Sequence, residues 1–406
     1  MEGKRVGIVL GFALLIRLAF VLGYPQAPIV SDALEYDQAA RFLAFGQVTP
    51  SNNGTIAKGP VYPVLLAIIY RLAGPSPVAV RVVQAVLGTL GVWLLYAIGC
   101  RAFDAHVGLT AAGLGAIAPA FIAYTGWLLT ETLTVCLTLL FVYLLIGAMQ
   151  RAKTWWWLAA GVVGGVLVLT RPEMLLVVLV CGVLAGWQGR WRRSAWLLLA
   201  AGLTIAPWTA RNWAVYHHWV LVAPGDGQFL WMSTYEKDWM SWDEQDPRYR
   251  TLASAQDPIE LDARMRQEAI RNILTQPLTY AALCLKRIPR FWLGGHSHAI
   301  VGLEAPLGRL LSEQEYARSA VKLMMLSFNM AVILLGFAGW YVAWRVGSSD
   351  RLLLVLLAAP VAVKALMHVA LFAVLRYQIP ILGLLMVCAA FALHHGRRVI
   401  RDLLPA

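Results

Sequence analysis

Long apolar runs dominate this sequence and limit what it can fold into. Runs of about 20 residues, long enough to cross the hydrocarbon core of a bilayer as a helix, recur along nearly the whole chain. Hydrophobic residues make up 59% of the chain and charged residues 14%, whereas a soluble domain has about 25% charged residues. The runs are continuous instead of alternating, which excludes a membrane β-barrel. The sequence therefore predicts an all-α polytopic membrane protein, and not a soluble, disordered or nucleic-acid-binding chain.

The apolar runs predict about ten transmembrane helices. The first run, Val6–Tyr24, follows Lys4 and Arg5, so a cleaved signal peptide is the alternative interpretation. Because the run is long and contains Arg17, we interpret it as a retained helix. The shorter run Pro60–Ala73 predicts an interfacial helix on the outer face. The remaining predicted spans are Val78–Cys100, Val107–Tyr124, Leu128–Met149, Trp155–Thr170, Met174–Trp187, Ala195–Trp208, Val321–Trp344, Leu352–Val374 and Gln378–His394.

Basic residues assign the two sides of the membrane. The net charge is +12, from 34 Lys and Arg against 22 Asp and Glu. When the spans alternate from a cytoplasmic N-terminus, the excess of positive charge falls in short hydrophilic breaks between the spans, all on one side of the membrane. The positive-inside rule assigns this side to the cytoplasm. These breaks contain Lys4, Arg5, Arg101, Arg151, Lys153, Arg190, Arg192, Arg193, Arg345, Arg351, Arg397, Arg398 and Arg401. The prediction is a multi-pass protein of the cytoplasmic (inner) membrane whose other breaks face the periplasm or the exterior.

Three regions follow from this topology. Residues 1–210 are predicted to form an N-terminal transmembrane module, whose first outer loop is 25–77. Residues 211–320 form an extracytoplasmic segment with interfacial helices, and residues 321–406 supply the C-terminal transmembrane helices. The five cysteines have neither the spacing of a disulfide framework nor that of a metal site, so we interpret them as small apolar side chains.

Charged residues from several separate breaks meet at the predicted outer boundary. Glu131, Arg171 and Arg376 are flanked by apolar residues, where an ionisable group is retained mainly if it pairs or lines a cavity. Mutual salt bridges at helix ends are the structural alternative for any one of them. For the whole set we predict a polar cavity. Arg and Lys bind phosphate, and a carboxylate can take the proton of a hydroxyl, so the ligand is expected to carry both groups.

These residues resemble the polyprenyl-phosphate-sugar-dependent glycosyltransferases of the GT-C fold. The most similar group is the bacterial family-39-like enzymes, which are related to protein O-mannosyltransferases and to lipid A aminoarabinose transferases. The resemblance runs in order along most of the chain, and the ordered set is more specific than any single motif. The motifs are Asp32-x-x-x-Tyr36, Lys58-Gly-Pro-x-Tyr-Pro63, Leu-Thr-Glu131 after Tyr124, Leu169-Thr-Arg-Pro172, Pro207-Trp-x-x-Arg-Asn212, Gln276-Pro277-x-x-Tyr280 and Arg376-Tyr-x-x-Pro380.

The resemblance implies an inverting transferase that moves one sugar from a polyprenyl-phosphate donor to a hydroxyl of a lipid or glycan acceptor on the outer face. It implies that Asp32 is the general base that deprotonates this hydroxyl. The implied donor phosphate-binding residues are Lys58, Arg171, Arg376 and Tyr377. The implied sugar- or acceptor-binding residues are Glu131, Tyr36, Glu173 and Arg211. A membrane transporter or lipid flippase is the alternative, although transporters usually place polar groups near the midplane and often show repeats, which this sequence lacks.

The sequence departs from the family pattern in three places. Ser31-Asp32 stands where protein O-mannosyltransferases usually have Asp-Glu, which disfavours a protein acceptor. Gly59 replaces the first of two prolines that often follow the basic residue. The first loop has no Asp-x-Asp pair, so metal-dependent oligosaccharyltransferase chemistry is not expected. The sequence requires no cofactor and leaves a divalent metal open. The sugar stays open among mannose, arabinose, aminoarabinose, glucose and galactose, and so does the identity of the acceptor.

Other polar residues receive simpler interpretations. Glu35 and Asp37 are expected on the solvated face of an interfacial helix. Lys364 and His368 share one helix face at i, i+4 spacing. Lys364 is expected to face the bundle interior or to snorkel, either toward a phosphate groove or in a structural pair. We interpret His296-x-His298 as loop histidines instead of metal ligands. The amphipathic stretch Asp257–Trp292 is predicted to lie over the membrane surface and to cap the cavity.

Overall fold

The structure is a computed structural model that describes residues 2–25, 28–48, 58–151, 153–187, 189–235, 249, 252, 258–347 and 349–403. Within these ranges the chain forms α-helices and short 3-10 turns, with no β-strand, which confirms the all-α class. The helices are α1 (Glu2–Gly23), α2 (Asp32–Phe45), α3 (Val61–Ala73), α4 (Pro77–Ala102), α5 (Ala105–Ile117), α6 (Pro119–Ala123), α7 (Glu131–Gln150), α8 (Thr154–Thr170), α9 (Met174–Gly186), α10 (Trp191–Tyr216), α11 (Asp226–Ser233), α12 (Pro258–Thr275), α13 (Pro277–Trp292), α14 (Leu307–Ser312), α15 (Tyr316–Val346), α16 (Arg351–Ala370) and α17 (Ile379–Leu403). The 3-10 turns are Tyr124–Gly126, Ser297–Ala299 and Leu375–Gln378.

Six segments of the described chain are long and apolar enough to cross a membrane. Five are the helices α1, α4, α7, α15 and α16, and the sixth is Leu375–Gly396, which includes most of α17. The apolar helices α3, α8 and α9 are shorter. The chain is therefore a multi-pass membrane protein, and the count of ten spans stays a prediction.

A proline breaks one of the predicted spans. The run Val107–Tyr124 was expected as a single helix, but α5 ends at Ile117 and α6 begins at Pro119, with a bend of 54° between them. Proline cannot donate the backbone hydrogen bond of a helix and disfavours helical geometry in the residue before it. A similar difference shortens the predicted span Leu352–Val374, because α16 ends at Ala370.

Glycines allow the membrane helices to pack with their backbones in close contact. A Cβ atom on Gly161 of α8 would lie 2.2 Å from the carbonyl oxygen of Leu197 in α10. A Cβ atom on Gly339 of α15 would likewise overlap the carbonyl oxygen of Cys388 in α17. Membrane helices gain little from apolar burial against lipid and associate largely through such close packing. These contacts fix the helices whose ends carry the candidate site.

The predicted polar residues lie at the ends of helices, and these ends meet. Asp32 is the first residue of α2, and Glu131 is the first residue of α7. Arg171 and Glu173 lie in the turn between α8 and α9, and Arg376 lies in the 3-10 turn before α17. Helix N-termini favour negative charge, because their first backbone N–H groups have no partner within the helix. The fold thus collects charged side chains from distant parts of the sequence at one end of the bundle.

Candidate active site

Two cations from distant parts of the chain hold the carboxylate of Asp32. Lys58 Nζ donates to Oδ1 at 2.7 Å, and Arg376 Nη2 donates to Oδ2 at 2.6 Å. Asp32 follows Ser31, whose φ of 51° lies in the left-handed region that normally favours glycine, so the backbone before the carboxylate is strained. The structure therefore brings the predicted base together with two of the predicted phosphate-binding residues.

The ion pairs set the protonation state of Asp32. Burial by itself raises the pKa of the carboxyl, but the positive charges of Lys58 and Arg376 and their hydrogen bonds outweigh this effect and lower the pKa to about 2. The side chain of Asp32 is 25% exposed, and those of Lys58 and Arg376 are 28% and 20% exposed. Asp32 is thus ionised at neutral pH and accessible. It is a weak base for as long as both cations stay on it.

Lys58 also contacts two residues of α2. Its Nζ lies 3.0 Å from Glu35 Oε2 and 4.9 Å from the centroid of the Tyr36 ring. Burial opposes the charge of Lys58, but Tyr36, Asp32 and Glu35 outweigh it and raise the pKa of the amine. Burial also raises the pKa of Tyr36 to about 12, so its hydroxyl keeps its proton at neutral pH. Tyr36 thus contributes a neutral hydroxyl beside the first cation.

The departure at Gly59 has a physical reason in the structure. A Cβ atom at this position would lie 2.3 Å from the carbonyl oxygen of Leu169 and 3.1 Å from that of Thr170. Both carbonyls belong to the end of α8, directly before Arg171. Backbone atoms cannot move aside as a flexible side chain can, so only glycine allows this approach. Gly59 therefore lets the backbone beside Lys58 lie against the end of α8.

Arg171 forms a second and more deeply buried group of ion pairs. Its Nη2 donates to Glu131 Oε1 at 2.5 Å, its Nε donates to Thr130 Oγ1 at 2.7 Å, and its Nη1 lies 3.7 Å from Glu173 Oε1. The side chain of Arg171 is 9% exposed and that of Glu131 is 1% exposed. Leaving one of these charges unpaired at such burial is costly, so the pair is firmly held.

Glu173 and Tyr377 connect the two groups. Lys364 Nζ lies 3.3 Å from Glu173 Oε1, so the buried lysine faces the site in a pair. Burial raises the pKa of Glu173, but Lys364 and Arg171 outweigh it and lower the pKa to about 2. The ring centroid of Tyr377 lies 5.6 Å from Arg171, 5.7 Å from Lys364 and 5.4 Å from Arg376. One aromatic ring thus contacts three cations.

Arg211 is the one predicted site residue that the structure does not bring into this cluster. Its Nη1 donates to Asn212 Oδ1 at 3.0 Å, and its guanidinium lies over the rings of Trp208 and Tyr216 at 4.7 Å and 5.9 Å. These partners all belong to α10, the helix that carries Arg211.

The prediction that Asp37 is solvated is wrong. It was expected on a solvated face, but it is buried, because Tyr70 donates to Oδ1 at 2.5 Å and Arg41 donates to Oδ2 at 2.6 Å. Arg41 lies four residues later on the same helix face, and this i, i+4 spacing could have predicted its ion pair with Asp37. Tyr70 lies on α3, so the second partner is visible only once the two helices are packed. Asp37 thus joins α2 to α3 and helps to fix the helix that begins with Asp32.

His296 and His298 lie beside the cluster. His298 Nε2 lies 3.2 Å from the hydroxyl of Tyr124, and His296 Nε2 lies 3.2 Å from Gln378 Oε1, two residues after Arg376. Burial lowers the pKa of His296 to about 3, with a smaller contribution from His298. Burial and the charge of Arg376 lower the pKa of His298. Both rings are thus neutral at pH 7. In the described part of the chain, no three His, Cys, Asp or Glu side chains are grouped as metal ligands.

Residues 57–213 match the sequence profile of the family described as dolichyl-phosphate-mannose-protein mannosyltransferase. No curated protein sequence matches the chain. Among solved structures, the chain is similar to the oligosaccharyltransferase AglB from Archaeoglobus fulgidus in complex with an inhibitory peptide and a dolichol-phosphate, with 16% identity and a TM-score of 0.57. The chain has the GT-C fold.

This GT-C similarity covers 99% of the chain and 52% of AglB, so the chain spans about half the length of that protein. The apo form of the Archaeoglobus fulgidus oligosaccharyltransferase gives 15% identity, 98% and 52% coverage and the same TM-score of 0.57. ArnT from Cupriavidus metallidurans bound to undecaprenyl phosphate gives 16% identity over 98% of this chain and 81% of that chain, with a TM-score of 0.44 that adds nothing to the fold assignment. The fold implied by the sequence motifs is confirmed.

Proposed function

We propose that this protein is an inverting glycosyltransferase that moves one sugar from a polyprenyl-phosphate donor to a hydroxyl of a lipid or glycan acceptor. The observation that carries the proposal is the carboxylate of Asp32 between Lys58 and Arg376, with Arg171 nearby. This arrangement combines a base with cations suited to a phosphate. The similarity to AglB supports it, since AglB was solved in complex with a dolichol-phosphate.

The proposed reaction is a single displacement. The acceptor hydroxyl gives its proton to a carboxylate oxygen of Asp32 while its oxygen forms a bond to the anomeric carbon. The bond from that carbon to the phosphate oxygen breaks, and the electron pair leaves with the polyprenyl phosphate. Lys58, Arg171 and Arg376 stabilise the departing negative charge, and Tyr377 keeps the two arginines beside each other. Because attack and departure occur on opposite faces of the sugar, its configuration inverts.

Donor binding strengthens the base in this scheme. Lys58 and Arg376 hold the pKa of Asp32 at about 2 when they pair with it. A donor phosphate competes for the same two cations. As their charge moves to the phosphate, the burial of Asp32 remains and its pKa rises toward the range of a useful base. Deprotonation of the acceptor is therefore coupled to the presence of the donor.

Glu131, Glu173 and Tyr36 are proposed to bind the hydroxyls of the sugar or the acceptor. All three contact cations of the site, since Glu131 and Glu173 pair with Arg171 and the ring of Tyr36 lies beside Lys58. Arg211 has its contacts within α10, so its assignment to the same group stays a prediction without support from its position. Lipid and glycan acceptors are favoured over protein acceptors by the Ser31-Asp32 departure.

We propose that the reaction requires no metal. Asp32, Glu131 and Glu173 are each neutralised by a Lys or Arg side chain at 2.5–3.3 Å. A divalent ion would have to displace these cations, whereas the cations themselves already suit the phosphate.

The site is proposed to face the periplasm or the exterior of a cytoplasmic membrane. Arg101 and Arg151 lie at the C-terminal ends of α4 and α7, and Glu131 lies at the opposite end of α7. Basic residues are typical of the cytoplasmic side, so the site lies on the other side. Charges gathered at one end, instead of the midplane, favour a transferase over a transporter or flippase.

The test uses the purified full chain in detergent or nanodiscs. It is supplied with undecaprenyl phosphate carrying radiolabelled mannose, glucose, galactose, arabinose or aminoarabinose, together with lipid and glycan acceptors. We expect wild type to transfer one of these sugars, and Asp32→Asn to lower the rate about 10²–10⁴-fold while still binding undecaprenyl phosphate. Full transfer by Asp32→Asn would falsify the assignment of the base. Movement of intact sugar-lipid across the bilayer without transfer would favour the flippase alternative.

A further inference from the structure

His368 is a buried polar side chain beside the site that has no part in the reaction above. It lies on the last turn of α16, with 6% of its surface exposed. Its ring stacks on Tyr377 at 4.4 Å between centroids and 13° between planes, and on Phe291 at 5.9 Å and 15°. Because Tyr377 is adjacent to Arg376, the imidazole lies one aromatic ring away from the proposed phosphate site.

The hydrogen bonding of His368 fixes which nitrogen carries the proton. Nδ1 lies 3.0 Å from the carbonyl oxygen of Phe372. A carbonyl oxygen only accepts hydrogen bonds, so Nδ1 is the donor. In a neutral imidazole, the form that a buried site favours, Nε2 then has a lone pair and no hydrogen. His368 therefore presents a hydrogen-bond acceptor.

This acceptor has no hydrogen-bond partner among the described residues, and two neighbouring residues also carry buried atoms without one. His368 Nε2, Glu131 Oε2 and Arg171 Nη1 are all buried atoms without a hydrogen bond there. Their residues form one contiguous group, since Arg171 pairs with Glu131 and both Arg171 and His368 contact Tyr377. Buried polar groups are nearly always satisfied, so a group of two acceptors and one donor points to a polar ligand.

We propose that His368 Nε2 accepts a hydrogen bond from a hydroxyl of the donor's sugar, and that His368 is a specificity-determining residue. This rests on the proposed function. The sugar is bonded directly to the phosphate, so a phosphate at Arg376 places the sugar beside Tyr377, within reach of His368. Both orphan acceptors, on His368 and Glu131, suit the hydroxyl donors of a sugar. A site with bare acceptors discriminates strongly against a substrate that lacks the matching hydroxyl.

Two substitutions separate a ligand-binding role from a structural one. In His368→Asn the side-chain amide can keep the hydrogen bond to the Phe372 carbonyl, but it provides nothing at the position of Nε2. In His368→Gln the longer side chain can place an oxygen near that position. The purified full chain is tested with undecaprenyl phosphate alone and with undecaprenyl phosphate carrying mannose, glucose or arabinose. Binding affinity and thermal unfolding are measured for each variant.

We expect His368→Asn to bind the preferred sugar-bearing lipid about five- to tenfold more weakly than wild type, and undecaprenyl phosphate within about twofold. His368→Gln is expected to recover most of the loss. Versions of the preferred donor that lack one sugar hydroxyl test the same contact on the wild-type protein, where misfolding of a variant cannot explain the result. Removal of the hydroxyl that His368 binds should weaken binding to wild type and leave binding to His368→Asn unchanged.

Other outcomes would overturn the inference. Equal weakening for both lipids, or a loss in His368→Gln as large as in His368→Asn with lower thermal stability, would show a structural role. A change confined to the KM for the acceptor would move the contact to the other substrate. Transfer by wild type with unchanged donor binding in His368→Asn rejects the inference alone. Absence of both transfer and preference for any sugar-bearing lipid in wild type rejects the proposed function as well.

Discussion

The two ion-pair groups of the site use the same kinds of side chain at different depths. In the Asp32 group, which is Asp32 with Lys58 and Arg376, each side chain is 20–28% exposed. In the Arg171 group, which is Arg171 with Glu131 and Glu173, Arg171 and Glu131 are 9% and 1% exposed. Glu173 is 26% exposed, but its second partner, Lys364, is completely buried. Cations near solvent can exchange one anionic partner for another at modest cost, whereas a buried pair must stay together. We infer that the first group exchanges partners during catalysis and that the second is the fixed frame.

The largest expected effect comes from breaking the fixed frame. Arg171→Met leaves the buried carboxylate of Glu131 without its cation and is expected to lower the free energy of unfolding by about 3–5 kcal/mol. The measurement is thermal or denaturant unfolding of the purified protein. The matched control is Arg264→Met, which removes an exposed pair with Glu260 and should cost less than about 1 kcal/mol. Equal stability of the two variants would contradict the difference in depth.

Removal of an exchangeable cation should instead act on the donor. Arg376→Ala and Lys58→Ala each remove a charged hydrogen-bond donor and are expected to weaken binding of undecaprenyl phosphate about 10- to 100-fold, with little change in unfolding. Arg376→Lys keeps the charge but loses the planar guanidinium, so it should lie between wild type and Arg376→Ala. Unchanged affinity in both alanine variants would place the phosphate elsewhere.

The sequence predicts the members of both groups better than it predicts their partners. The ends of apolar runs locate Glu131, Arg171 and Arg376, because an ionisable side chain at the edge of the hydrocarbon region is retained mainly where it pairs or lines a cavity. Which carboxylate pairs with which cation depends on how helix ends meet, and Arg376 is 344 positions from Asp32 in the chain. The burial of Asp37 was not predicted, because it depends on how α2 packs against Tyr70 of α3. The bend at Pro119, by contrast, could have been predicted from local chemistry alone.

Gly59 tests whether Lys58 depends on close backbone packing. Gly59→Ala would place a methyl group 2.3 Å from the Leu169 carbonyl oxygen, so the segment that carries Lys58 must shift. We expect transfer to fall about tenfold, because small displacements of positioning groups are costly. Gly202→Ala is the control, since no atom lies within 4 Å of a Cβ there and alanine favours the helix. A Gly59→Ala enzyme with wild-type transfer would show that the segment has room to adjust.

The smallest expected effect is a pH dependence that isolates Asp32. Its pKa is lowered from the ordinary 3.8 to about 2 in the folded protein, because Lys58 and Arg376 outweigh burial. A carboxyl with a lowered folded-state pKa stabilises the fold above its unfolded-state pKa, and this contribution is lost as the pH falls through the folded-state value. The stability difference between wild type and Asp32→Asn should therefore be constant above about pH 5 and shrink from pH 4 toward pH 2. The comparison cancels Glu173, whose pKa is also lowered to about 2. With undecaprenyl phosphate bound, Lys58 and Arg376 turn to the phosphate and the folded-state pKa of Asp32 rises, so the decline should become smaller and should reverse once this pKa exceeds the unfolded-state value. A decline of unchanged size with the lipid bound would mean that the cations stay on Asp32, and that the difference between the two groups is one of depth alone.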